Sequence, residues 1–324
     1  MCTMLIAFLI VALLCIILVI CNKAYKKTNG YKNRLDFENS IADPTAVPYD
    51  LEVVNTGSVF GRFAYEYCKL QRKGFNFAMS PQSLAYDFRI LKQFKDHMKK
   101  GCVVFITLPV CIFAFVDYDY KKYARYNNKY YSFMDKNNMV NYNPVVKFLY
   151  RHIPVLFAKK EVLCIFKDEE RNNPFDIKNG VLSENLAERQ AEEQLTIWKK
   201  QFDIADFTNP VFPESVKDSM QTTTELLYEM ITFCRDCNWK PVLVTPPTSK
   251  LLRQRFSKEF LNAFFYEHIS QANDTDIPYL NFLDHPSFQE QYDFFINGIS
   301  FLSRTGRDRF MRLLTTELEK LEFL

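Results

Sequence analysis

Polar and apolar positions divide the chain into three regimes. Residues 4–21 (MLIAFLIVALLCIILVIC) contain no charge and no helix breaker. At about 1.5 Å per helical residue this run reaches roughly 27 Å, close to the hydrocarbon thickness of a bilayer. No A-x-A-like cleavage site follows it. Residues 1–22 are therefore expected to form a membrane anchor, in preference to a cleaved signal peptide or a buried core helix. Residues 23–50 are polar and close on Asp43-Pro44 and Val47-Pro48, which reads as a tether.

From residue 51 onward, short apolar runs alternate with helical stripes. The runs 51–54, 75–79, 102–108, 242–245 and 277–282 are rich in Val, Ile or Phe, as strands buried on both faces of a parallel sheet are. The first is broken by Asn55-Thr56-Gly57-Ser58, and a helical pattern follows over 61–72. Leu84, Phe88 and Leu91 mark a second helix, placed before Lys99-Lys100-Gly101, where cations and a Gly suit a helix end. Leu227, Met230, Ile231 and Cys234 mark another, and Phe310, Leu313, Leu314, Leu318 and Leu321 give the last one its stripe. This alternation predicts a three-layer α/β/α sandwich on a mostly parallel sheet, flavodoxin-like in class, over residues 51–324. Residues 117–213 break the rhythm and read as an insertion of helix and loop. Its first part is rich in Tyr, Lys and Asn; its second, 183–202, has Leu186, Leu195 and Trp198 on one face.

Composition narrows the chemistry. Hydrophobic residues are 48 % and charged residues 24 %, the balance of a folding chain. With 41 basic and 38 acidic residues the net charge is +3, too even for a dedicated nucleic-acid binder. There are 8 Gly and 4 His against 31 Phe and 18 Tyr, so phosphate loops and metal sites are scarcely provided for. Six of the nine cysteines lie beyond the anchor with no disulfide framework, and the CxxC of Cys234 and Cys237 has no second pair to complete a zinc site. Neither metal nor cofactor is expected. Lys23, Lys26, Lys27, Lys32 and Arg34 follow the anchor, which by the positive-inside rule places the main domain in the cytoplasm.

The blocks VVNTGSV (53–59), GFNFAMSPQSL (74–84), VVFITLP (103–109), KPVLVTPPTSK (240–250) and FLSRTGRDRF (301–310) resemble, in order and spacing, those of the SGNH (GDSL-like) hydrolases. The similarity is to membrane-anchored members associated with cell-surface polysaccharide assembly, such as teichoic-acid D-alanylation and alginate acetylation. It implies a serine nucleophile after the first strand, Gly and Asn oxyanion donors, and a late Asp-x-x-His. Carried onto this chain, the nucleophile position is Val59, the second-block Gly falls near Pro81, and the third strand ends in Thr107-Leu108-Pro109 without the Asn. The Asp and His positions are Gly298 and Phe301.

The resemblance therefore implies a non-hydrolytic relative that holds a ligand or docks a partner, outside the cytoplasm. The expected partners are the bilayer, a cell-surface glycan and envelope-assembly proteins. The alternative is an acyltransferase or esterase with Ser58 as nucleophile, His285 beside Asp284 as base, and Asn55 or Gln82 as oxyanion donors. The structural reading is the better one for these residues: Ser58 as a turn or helix N-cap hydroxyl, His285 as a surface loop residue, and His97 as a dipole-compensating surface group at a helix end. Asn55, Ser58, Gln82, Thr107, Thr245 and Ser300 all fall at or beyond predicted strand ends or in the closing loop, where a doubly wound sheet forms its crevice. Tyr118, Tyr120, Tyr123, Tyr126, Tyr130 and Tyr131 either roof that crevice for a sugar or pack the insertion onto the sheet.

Overall fold

In chain order the longer elements are α1 (Cys2–Lys27), α2 (Asn29–Glu38), β1 (Leu51–Asn55), α3 (Val59–Ala64), β2 (Gly74–Asn76), α4 (Leu84–Gln93) and β3 (Met98–Thr107). They continue with α5 (Pro144–His152), α6 (Glu184–Phe202), α7 (Glu214–Asp236), β4 (Lys240–Thr245), α8 (Glu267–Ala272), β5 (Tyr279–Asn281) and α9 (Arg304–Lys320). This is a computed structural model, and it describes residues 2–38, 46–114, 127–173, 183–274 and 277–323. The chain divides into two compact units, Met1–Ala46 with Tyr123–Pro174 and Val47–Lys122 with Phe175–Leu324. The region read as one insertion is thus shared between them.

The larger unit is α/β. Its five strands are all parallel in the order β2-β1-β3-β4-β5, with Val54 opposite both Phe75 and Val104, and Val244 opposite Leu280. Val53, Val103, Phe105, Val242 and Val244 turn to one face and pack with Phe310, Leu314 and Leu318 of α9. On the other face α7 lies against β4, α4 and α8, burying Leu227, Met230, Ile231 and Cys234. Helices cover both faces, so the strands carry apolar residues without alternation, and the expected α/β class is what the chain adopts.

Local boundaries differ from the sequence reading for identifiable reasons. The helix expected over 61–72 stops at Ala64, because Tyr65 takes an extended conformation and Tyr65 and Tyr67 are drawn into the core. The helix expected to run to Gly101 ends at Gln93, and Met98 already begins β3. His97 closes the short 3₁₀ turn Lys95–His97 that follows α4: its ring stacks on Tyr49 at 4.0 Å and its Nδ1 lies 3.2 Å from the carbonyls of Val47 and Pro48.

In the smaller unit, Met4–Lys27 is long and apolar enough to cross a membrane, with a mean hydropathy of 3.5 over its most apolar 18 residues. Apart from Leu18, its large side chains from Met4 to Ile20 are exposed all round, a surface that water does not tolerate on a 26-residue helix. The polar stretch read as a tether is instead helical through residue 38. The reason is a cap from far along the chain: the Asp168 carboxylate accepts from the N–H groups of Asn29, at 2.9 Å, and Gly30, at 3.2 Å. These bonds hold the Asp168 carboxyl below its ordinary range, that from Asn29 contributing most. Gly30 leaves room for Cys164, whose Sγ would sit 2.4 Å from any Cβ there. Tyr25, Val155 and Ala158 form a small core joined by Leu18 and Tyr31.

Candidate functional site

A doubly wound sheet opens a crevice beyond the carboxyl ends of its strands where their order reverses, here between β1 and β3. A cavity of about 140 Å³ lies there. Ser58, Val59 and Phe60 come from the turn after β1 and the start of α3, Pro81 and Gln82 from the loop after β2, and Pro109, Cys111 and Ile112 from the loop after β3. Trp198, Gln201 and Phe202 close it from the last turns of α6, and Phe301 from the loop before α9. The Phe301 ring meets Phe60 edge-on at 5.3 Å.

The turn that presents Ser58 is built from buried polar groups. Gly57 takes φ +123°, open to glycine alone without strain, and a Cβ there would stand 2.8 Å from the Cβ of Thr107. Its N–H donates to Oδ1 of the wholly buried Asp87, at 2.9 Å. The same oxygen accepts from Nε2 of Gln82 at 2.5 Å, while the Gln82 backbone N–H donates to Ser58 Oγ at 3.1 Å. Asp87 thus fixes both the turn and the residue that touches Ser58. It sits in the first turn of α4, where Ser83 caps the helix by accepting from the Tyr86 N–H.

Of the expected pocket residues, Ser58 and Gln82 line the cavity. The other four are buried in the scaffold. Asn55 donates to Asn76 Oδ1 at 2.9 Å and accepts from the Tyr67 hydroxyl at 2.6 Å, tying β1 to β2. Thr107 donates to the Thr56 carbonyl at 2.7 Å and also bonds the Tyr65 hydroxyl. Thr245 is hydrogen-bonded to the hydroxyl of Tyr279 at 2.9 Å, and Ser300 accepts from Asn297 Nδ2 with its hydroxyl while its N–H donates to Asn297 Oδ1. Each strand-end polar group meets the next strand or its own loop because parallel neighbours stand only about 4.8 Å apart.

The alternative triad does not assemble. Ser58 follows β1 and His285 follows β5, three strand spacings or about 14 Å away across the sheet. His285 Nδ1 accepts from the Ser287 N–H at 3.3 Å, and Asp284 faces Arg253 at 3.5 Å. The side-chain amides of both oxyanion candidates are committed, Asn55 to Asn76 and Gln82 to Asp87. Val59 is the first residue of α3, Gly298 takes φ +71°, and Phe301 puts a ring where the resemblance implies a base. Ser58 stands at the N-cap position of α3 but makes no side-chain cap bond.

The other histidines are engaged elsewhere. His268 Nδ1 lies 2.7 Å from the Thr224 hydroxyl, and burial holds its pKa below the ordinary value. His152 lies in the smaller unit against Phe148. Among the described residues, no group of three metal-ligating side chains comes together. The lone ionisable group in the described cavity wall is Cys111, whose thiol burial pushes far above its usual range, so it stays protonated and inert.

The roof differs from the one expected. Tyr130 and Tyr131 are buried in the smaller unit, where the Tyr131 hydroxyl accepts from the Asn143 N–H that opens α5. Tyr118, Tyr120, Tyr123 and Tyr126 lie outside the described residues. The roof is α6, whose amphipathic pattern is visible in the sequence, Trp198 included. Asp87 and Cys111 carry no local signal. No protein-family model matches the chain, and no curated protein matches it.

Proposed function

We propose that this is a single-pass membrane protein whose α/β unit holds a small acyl-bearing ligand without cleaving it, as a component of cell-surface polysaccharide assembly or acylation. The observation that carries this reading is the composition of the cavity wall. A serine hydroxyl and amide groups stand among apolar side chains, and no carboxylate, imidazole or amine among the described residues reaches Ser58. A serine with no base to take its proton binds as a hydrogen-bonding group and does not attack. At about 140 Å³ the cavity matches a volume that accepts benzene and falls short of a drug-sized pocket, so a short acyl group fits and a bare glycan ring is poorly served. The SGNH resemblance supports the same reading, since its implied base position is occupied by the Phe301 ring.

A fluorophosphonate probe tests it. The expected result is no labelling at Ser58, together with thermal stabilisation by short-chain acyl esters of sugars. Labelling that disappears in Ser58→Ala would overturn the reading in favour of a serine acyltransferase or esterase.

The resemblance puts the α/β unit outside the cytoplasm. A second reading, a cytoplasmic unit, is favoured by Lys23, Lys26 and Lys27 directly after the apolar run and by eight free cysteines among the described residues. Fusions at the C-terminus separate the two: active alkaline phosphatase supports the first, and fluorescent protein signal without phosphatase activity supports the second.

A further inference from the structure

The apolar run of α1 ends at Cys21, and Asn22 is its first polar residue beyond the run. At that level the helix is gripped by a segment from more than 120 residues later. Asn22 Nδ2 donates to the His152 carbonyl at 2.8 Å, Asn22 Oδ1 accepts from the Val155 N–H at 3.3 Å, and Lys26 Nζ donates to the same His152 carbonyl at 3.4 Å. Leu18, about one helical turn inside the apolar run, packs against the core formed by Tyr25, Val155 and Ala158. If α1 spans a bilayer, residues 152–165 therefore stand at the junction of headgroups and acyl chains.

The outer surface of this segment has the composition such a junction selects. Phe148, Leu156, Leu163 and Phe166 are exposed by 50 to 85 %, although a small core lies beside them. Interspersed are Arg151, Lys159, Lys160 and Lys167, all exposed, against a single exposed acid in the same stretch, Glu161. Of the acids that follow, Asp168 engages α2 through its carboxylate, while Glu169 and Glu170 meet it through the backbone and keep their carboxylates on the exposed surface. Asp168 caps that helix, and the carbonyls of Glu169 and Glu170 accept from Asn29 and Asn33. Aromatic and aliphatic side chains among Lys and Arg are what an interfacial membrane segment presents, the rings entering the leaflet and the cations meeting anionic headgroups.

We infer that residues 148–167 form a collar around the polar end of the anchor that contacts lipid directly. Phe148, Leu156, Leu163 and Phe166 enter one leaflet, and Arg151, Lys159, Lys160 and Lys167 bind anionic headgroups. This rests on the membrane-spanning reading of α1 and adds to it a second, lateral attachment selective for anionic lipid.

The test uses the full chain reconstituted in vesicles of phosphatidylcholine, with and without phosphatidylglycerol, containing lipids brominated near the headgroup end of the acyl chain or deep within it. Trp198 and Trp239 are buried and supply a constant background measured on the unsubstituted protein. In Phe166→Trp, the added emission should be blue-shifted and quenched by shallow bromines, more strongly with phosphatidylglycerol. Lys159→Glu with Lys160→Glu should abolish that increment. Phe8→Trp reports on the anchor and should be quenched by deep bromines.

Water-like, unquenched emission from Phe166→Trp alongside a quenched Phe8→Trp would overturn the collar and leave the anchor standing. An unquenched Phe8→Trp would remove the anchor, and the collar with it. Equal quenching of Phe166→Trp in the two lipid mixtures would overturn the role given to anionic headgroups.

Discussion

Gly57 and Asp87 carry more of the cavity's geometry than the serine they present. A methyl group on Gly57 meets both a positive φ and the Thr107 side chain, so Gly57→Ala should cost about 1–3 kcal/mol, read as a lower midpoint in urea unfolding with an unchanged slope. Asp87→Ala strands two donors, the Gly57 N–H and the Gln82 amide, and should cost roughly 1–3 kcal/mol for each. Ser58→Ala removes one acceptor at a partly open wall and should change stability by less than about 1.5 kcal/mol. If Ser58→Ala proved the most damaging of the three, the turn would not be organised around Asp87. The role of Asp87 is not legible in the sequence. It lies in an amphipathic helix among residues that mark no motif, and its partners are 30 and 5 positions away, on different loops. Gly57 is legible as part of a small-residue turn, because a strand that runs into Asn-Thr-Gly-Ser has few ways to continue.

Between elements, the buried contact of α7 with α8 carries a titratable group. Burial disfavours protonated His268 and outweighs the opposing charge of Glu267, so its pKa in the fold lies below the ordinary 6.5. The unfolded chain then binds the proton more readily. Stability from this group is complete above pH 6.5 and declines as the pH falls from there through the folded value. The thermal midpoint should drop over that window in the parent protein, and His268→Gln should remove the step. An unchanged step would assign it to another group. Glu52, held low chiefly by its bond to Lys99, adds a separate loss beginning near its unfolded value of 4.5, which Glu52→Gln should flatten. At this scale the sequence speaks clearly about kind and poorly about ends. Strands covered on both faces read as apolar runs, and α9 shows its stripe because a single face is buried. The helix boundaries at Ala64 and Gln93 depend on where Tyr65, Tyr67 and His97 find partners, and those partners come from remote segments. The same holds for α2, which has a weak apolar pattern of its own and is capped by Asp168.

For the whole molecule, the expected behaviour follows from the proposal that α1 spans a membrane. The protein should stay with the membrane pellet through alkaline carbonate extraction. Val11→Arg, at the middle of the apolar run, should weaken insertion by about 2.5–3.5 kcal/mol, read as a larger soluble fraction. Full extraction of the parent protein would refute the spanning helix. The grip of residues 152–155 on Asn22 has a further consequence, for the order of events during synthesis. Helix α1 leaves the ribosome well before the segment that covers Tyr25, which emerges about 130 residues later. At roughly 5–20 residues per second this leaves the tyrosine uncovered for on the order of ten seconds. The larger unit is interrupted meanwhile, with β1 to β3 made before the segment and β4 to α9 after it. Assembly is therefore nested: the smaller unit can close first, and the sheet waits for the last third of the chain. Truncated or stalled chains that end before residue 155 therefore carry α1 without the segment that covers Tyr25 and bonds Asn22.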